Sequence, residues 1–178
     1  ERNWSLELSE LENSYQQATQ QGIKVKAMVV INPGNPTGNH LTDENLFEIV
    51  QFCHQRNITL LADEVYQENT YVRPFKSFKK SLCEYTHKIG LTEPPIELYS
   101  FHSVSKGYLG ECGRRGGYVE CFGVCQEKID ALYKFLSLNL CSSINGQLAV
   151  AVMVNPPSEG SESYARFVSE RSEILGTN

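Results

Sequence analysis

Apolar and polar positions alternate along this chain with two distinct periods. Leu8, Leu11, Tyr15 and Ala18 share one helical face, and Ser9 followed by Glu12 has the spacing of a capping box. Gly22 stops that helix. Ala27–Ile31 is a continuous apolar run, too short for a helix, and predicts a buried parallel strand. Residues 32–38 carry two prolines and two glycines and predict a loop, with a cis Asn35–Pro36 bond. Thr42 can cap a helix in which Leu46, Ile49, Val50 and Cys53 recur at i, i+3, i+4 and i+7. Ile58–Ala62 is a second buried run, closed by Asp63 and Glu64. Strand, helix, strand in that order is a right-handed crossover unit.

Beyond it, residues 67–95 are polar and proline-broken, with one short helix near Ser81–Lys88. Ile96–Phe101 predicts a third strand and Gly117–Phe122 a fourth. Ile129, Leu132, Tyr133, Leu136 and Leu140 mark an amphipathic helix. Residues 145–154 are apolar with short side chains and predict a buried helix. Pro156 and Pro157 break the chain, and a last helix from Ser161 carries Tyr164, Phe167, Val168 and Leu175. The fold class is therefore α/β: a mostly parallel sheet in a three-layer α/β/α arrangement.

Composition narrows the function classes. The chain has 178 residues, 40% hydrophobic and 21% charged, which suits a folded domain with a sizeable core. A net charge of -5 argues against nucleic acid as the main partner. No apolar run is long enough for a membrane span. The six cysteines lack the paired spacing of a zinc site and read as free thiols of a reducing compartment.

The chemistry concentrates in Ser100–Gly117. One lysine, Lys106, follows a strand and precedes a loop with five glycines and two arginines. Glycines let a backbone approach a ligand closely, and serine and arginine donors suit a phosphate. A lysine among such groups reads as a covalent anchor for a phosphorylated carbonyl compound, or as a surface lysine beside a flexible loop. Asn35 follows the first parallel strand, Asp63 closes the second and Lys106 follows the third. That carboxyl edge is where open parallel sheets bind ligands. Taken singly, Asp63 could instead be a helix cap or half of a salt bridge, and Asn35 plain turn chemistry.

Together, Asn35-Pro-Thr-Gly38, Ala62-Asp-Glu-Val-Tyr66 and Ser103-Val-Ser-Lys-Gly107 resemble the class I aminotransferases of the pyridoxal-phosphate fold type I family. Within it, Asn32–Gly38, Leu61–Gln67 and Gly107–Gly117 most resemble the alanine aminotransferase branch. The resemblance covers nearly the whole chain. It implies pyridoxal 5'-phosphate as cofactor, carried on Lys106, with Asp63 at the ring nitrogen. It implies Asn35 and Tyr66 at the phenolic oxygen, and Ser103, Ser105 and Arg115 around the phosphate. The loop from Lys106 to Arg115 is one residue longer than the family pattern, which leaves Arg114 open for the phosphate.

The resemblance further implies amino-group transfer between L-alanine and 2-oxoglutarate, a homodimer, no nucleic-acid or membrane partner, and a cytoplasmic or mitochondrial location. Residues 1–155 correspond to part of the cofactor-binding large domain and 156–178 to the start of the connection toward a small domain. On this reading the chain is a piece of a longer aminotransferase, inactive alone. The alternatives are a fold type I lyase of the aminocyclopropane-carboxylate synthase kind, a non-catalytic piece that keeps the fold, and a Ser-x-x-Lys hydrolase built on Ser103 and Lys106. The last leaves Asn35 and Asp63 without a role.

Overall fold

Four strands form one sheet in the computed structural model, which describes residues 6–70, 73–107, 109–139, 141–156 and 158–176. The elements run α1 (Leu8–Gln20), β1 (Ala27–Ile31), α2 (Asp43–Arg56), β2 (Thr59–Asp63), α3 (Phe78–Lys88), β3 (Leu98–Ser103), a 3-10 turn (Cys112–Arg114), β4 (Gly117–Phe122), α4 (Gln126–Leu136), α5 (Ile144–Val154) and α6 (Glu162–Gly176). The sheet order is β1-β2-β3-β4. The first three strands are parallel and β4 runs antiparallel to β3. The α/β class and the mostly parallel sheet are those the sequence predicts. Leu140 and Pro157 lie outside the described residues.

The core lies between one face of the sheet and helices α2 and α3. Leu60, Ala62 and Leu98 are fully buried there against Leu46, Ile49, Val50, Phe78 and Leu82. Thr42 caps α2 as predicted, its hydroxyl accepting from the Asn45 N–H at 3.1 Å. Gly22 ends α1 at φ +74°, with the Ile23 N–H reaching back to the Ala18 carbonyl at 2.9 Å.

Three local expectations are corrected. Ser9 does not cap α1, which starts from Glu7 without any side-chain cap. The capping box needs Glu12 to reach back, but the Glu12 carboxylate is held by the Arg56 guanidinium. β1 is not buried on both sides: Val30 is buried, while Val29 is 65% exposed. The strand sits at the edge of the sheet, and its second face is largely open among the described residues. α5 is a helix as predicted, but Gly146 is its one buried residue.

α5 nevertheless has a fixed seat. A Cβ on Gly146 would stand 2.7 Å from the Arg115 carbonyl oxygen, and one on Gly116 would stand 2.5 Å from the Gly146 oxygen. The two backbones touch directly, which only glycine at both positions permits.

Candidate active site

The loops that follow β1, β2 and β3 meet at the carboxyl edge of the sheet. After β1, Asn32 turns inward and is almost fully buried. Its Oδ1 accepts from the Leu41 N–H at 2.9 Å, and its own N–H bonds the Asp63 carbonyl at 3.0 Å. The loop is thereby tied to β2 and to the residues that lead into α2. It contains cis bonds at Asn32–Pro33 and at Asn35–Pro36, the second as predicted.

That anchoring presents Asn35 to Tyr66, which lies in the turn after β2. Asn35 Nδ2 donates to Tyr66 Oη at 3.2 Å. The Lys106 ammonium stands 5.5 Å from the centre of the Tyr66 ring, within cation–π range. Three residues from three loops, separated by up to 71 positions, thus form one continuous group. Lys106 also lines a cavity of about 360 Å³ with Gln67, Glu68, His102 and Tyr118.

Ser103 and Ser105 are fixed by the backbone. Ser103 Oγ donates to the Gly116 carbonyl at 3.2 Å and accepts from the Ser105 N–H at 3.1 Å. The glycine-rich loop is folded against the end of β3 by these bonds, and Cys112 Sγ adds one to the Ser105 carbonyl at 3.1 Å.

Among the described residues, no side-chain contact joins Asp63 or Arg115 to the Asn35–Tyr66–Lys106 group. Asp63 ends β2, level with Ile31 and Phe101. Its carboxylate accepts a long bond, 3.4 Å, from the Val65 N–H. Arg115 takes a left-handed backbone, φ +55°, and its guanidinium donates to the Cys112 carbonyl at 2.9 Å. It lines a separate cavity with Gly116, Ser142 and Gly146. Arg114 faces Glu111 at 3.5 Å.

Other polar residues near the site carried no role in the sequence reading. His102, on β3, lines the Lys106 cavity. Burial holds its imidazole below the usual histidine range, and the Asp63 charge opposes this. Glu64 is buried, and burial pushes its carboxyl up to about 7. Glu68 is ion-paired with Arg171 of α6, which brings that helix to the cavity wall. The alternation Ser100, His102 along β3 could have placed His102 beside Tyr118, but only once the strand register was known. Nothing local signals the Glu68–Arg171 pair.

The arrangement offers a primary amine, a phenol, an amide and a carboxylate at a strand end. It also offers two backbone-fixed serines beside a glycine-rich loop. That donor set fits a small aromatic aldehyde carrying a phenolic oxygen, a ring nitrogen and a phosphate.

Comparison with known proteins agrees. The family described as aminotransferase class I and II matches residues 1–178. The chain is 50% identical over 177 residues to a probable mitochondrial alanine aminotransferase of Dictyostelium discoideum, covering 98% of this chain and 32% of that protein. It is 46% identical over 175 residues to glutamate–glyoxylate aminotransferase 1 of Arabidopsis thaliana, covering 97% and 36%. It thus spans about a third of the length of these curated relatives. Among solved structures, an alanine aminotransferase from Pyrococcus furiosus superposes with a TM-score of 0.69 at 20% identity, over 97% of this chain and 40% of that one. At that identity the likeness carries the fold.

Proposed function

This chain belongs to the class I and II aminotransferase family, and we propose that the whole protein moves an amino group between L-alanine and 2-oxoglutarate with pyridoxal 5'-phosphate as cofactor. The observation that carries this is the Asn35–Tyr66–Lys106 group at the carboxyl edge of the sheet. The substrate pair rests on the similarity to alanine aminotransferases. A glutamate–glyoxylate pair is the second reading, supported by the 46% identical relative.

When bound, the cofactor supplies an electron sink for the pair left behind when an amino acid loses its α-proton. The chain's own residues do the rest. Lys106 Nζ is the amine that holds the cofactor's aldehyde. Once freed, the same amine would be the base that takes the proton from the substrate α-carbon and delivers it to the carbon that was the cofactor's aldehyde. Asp63, ending β2, would accept from the ring N–H and keep that nitrogen protonated. Tyr66 Oη already accepts from Asn35 Nδ2, so its own hydrogen is free to donate to a phenolic oxygen. Ser103 and Ser105 orient the phosphate. Arg115, rather than Arg114, whose charge is partly met by Glu111, would neutralise it once released from the Cys112 carbonyl.

As the resemblance implied, the proposal includes a homodimer in the cytoplasm or in mitochondria, with residues 1–155 in the cofactor-binding domain. Among the described residues, no helix is long and apolar enough to cross a membrane.

The test compares Asp63→Ala with Asp43→Ala in the whole protein, by turnover of alanine with 2-oxoglutarate and of glutamate with glyoxylate. Asp43 lies in the first turn of α2 and pairs with Lys76. Loss of activity at least 100-fold greater for Asp63→Ala supports the assignment. Equal activities refute it. Faster turnover of glutamate with glyoxylate selects the second reading.

A further inference from the structure

Two loops carry Asn35 and Tyr66, and each is closed on itself. The first runs from Asn32 to Leu41. Asn32 Oδ1 accepts from the Leu41 N–H at 2.9 Å, and inside the loop the Gly34 N–H bonds the Asn39 carbonyl at 2.7 Å. The second leaves β2 at Glu64 and returns at Phe78, whose N–H bonds Glu64 Oε1 at 2.8 Å. These bonds fix the shape of each loop but not the distance between the two. The loops face each other across a cavity of about 240 Å³ lined by Asn35, Pro36, Tyr66 and Asn69 among others, so the gap is open rather than packed. The Asn35–Tyr66 bond crosses it at 3.2 Å, but a neutral bond exposed to water holds little by itself.

Arg73 supplies a second crossing. It lies seven positions beyond Tyr66 in the second loop, and its side chain reaches the far end of the first. Nη2 donates to the His40 carbonyl at 3.1 Å and to the Leu41 carbonyl at 2.6 Å. Nε stands 3.2 Å from His40 Nδ1 and 3.3 Å from Nε2. Burial, and the Arg73 charge beside it, hold the His40 imidazole below the usual histidine range, so at neutral pH the ring is neutral and one of its nitrogens can accept. The α2 ladder starts with the Leu46 N–H on the Thr42 carbonyl, which leaves the Leu41 carbonyl to Arg73. A charged donor makes a bond roughly twice as strong as a neutral pair. Lys76, three positions on, serves a different purpose: it bonds Asp43 of α2 and Glu84 of α3 and so ties helix to helix.

We propose that Arg73 is a positioning residue for the cofactor site: by gripping the His40 and Leu41 carbonyls it holds the Asn32–Leu41 loop against the Glu64–Phe78 loop and keeps Asn35 within reach of Tyr66. The residue type follows from the contacts. A planar guanidinium serves two successive carbonyls with one nitrogen and faces the imidazole with another, which an ammonium on a shorter stem does not reproduce. The link to the cofactor rests on the roles proposed above for Asn35 and Tyr66; the positioning itself does not, and its test separates the two.

Tyr66 is read before any cofactor is added. The tyrosines of the whole protein are labelled with ¹³C at Cζ and followed by NMR, and Tyr66→Phe identifies the Tyr66 signal. Asn35→Ala marks where that signal lies without its partner. Arg73→Ala is expected to move it most of the way to that position, and to move it no further when Asn35→Ala is already present. Arg73→Lys, which keeps the charge and most of the stem, moves it the same way by less, and it decides the matter if Arg73→Ala does not fold. Lys76→Ala leaves the signal in place. With pyridoxal phosphate added, turnover in Arg73→Ala falls by about 10- to 100-fold, the scale of a misplaced group at a reacting centre, with no further loss in the Asn35→Ala background. A Tyr66 signal unmoved by both Arg73 variants overturns the proposal. So does an equal shift when Asn35 is already replaced, or one of the same size in Lys76→Ala. A shift seen in a protein that takes up no pyridoxal phosphate supports the positioning and refutes the cofactor reading alone.

Discussion

Helices α2 and α5 make the most informative pair in the molecule. α2 is only moderately apolar, yet it buries Leu46, Ile49, Val50, Phe52 and Cys53. α5 reads Ile-Asn-Gly-Gln-Leu-Ala-Val-Ala-Val-Met-Val and buries Gly146 alone. Ile144 is 75% exposed and Val152 70%. Apolar content therefore says that a helix favours cover; it does not say what provides it. α2 has strands β1 to β3 and α3 beneath it, all within residues 27–103. α5 meets the loop at Arg115 and Gly116 through its backbone, and its apolar side chains meet nothing comparable among the described residues.

Phe78→Ala, in the α2–α3 layer, should cost about 3–5 kcal/mol, because a fully buried aromatic leaves a cavity. Val152→Ala on α5 should stay within about 0.5 kcal/mol. Urea unfolding of both variants checks this, and comparable losses would mean that α5 is part of the same core.

Glu64 gives the next largest effect, through pH. Its carboxyl titrates near 7 when folded, above the usual carboxylate range, so the folded state holds its proton more tightly than the unfolded state. Stability is then fully present below about pH 4.5, falls as pH rises and levels off above about 7. The span amounts to roughly 3 kcal/mol. Glu64→Gln should flatten this segment of the stability–pH curve, measured by thermal melts at stepped pH. An unchanged slope would place the titration elsewhere.

The smallest effect concerns the caps. Thr42→Ala removes the acceptor for the Asn45 N–H on α2 and should cost about 1 kcal/mol in global unfolding. Ser143→Ala removes the matching bond to the Gly146 N–H on α5 and should leave the global transition nearly unmoved, because α5 is not held in that core. Hydrogen exchange of the α5 amides should still rise. A global loss equal to that of Thr42→Ala would contradict the division.

What the sequence made legible was local chemistry. The Thr42 cap, the Gly22 stop, the apolar runs at 27–31 and 58–62 and the three loop strings need only near neighbours to declare themselves. What stayed hidden depends on distant partners. Ser9 loses its capping role because Arg56, 44 residues from Glu12, holds the carboxylate that the motif requires. α3 begins at Phe78 rather than Ser81 because Ser77 caps it and Glu64 accepts the Phe78 N–H. The open face of β1 follows from its place at the sheet edge. In the site, the strand-end pattern made Asn35, Asp63 and Lys106 legible, and the family resemblance added Tyr66; the Asn35–Tyr66–Lys106 contacts needed the fold.

In the proposed function, Lys106, beside Asn35 and Tyr66, carries the cofactor. The direct measurement is to add pyridoxal phosphate to the whole protein, reduce with borohydride and map the modified peptide by mass spectrometry. One stable adduct is expected, on Lys106, formed in Asn35→Ala and Tyr66→Phe at reduced yield and absent in Lys106→Ala. An adduct on Lys24 or Lys128 instead, with Lys106 unmodified, would contradict it.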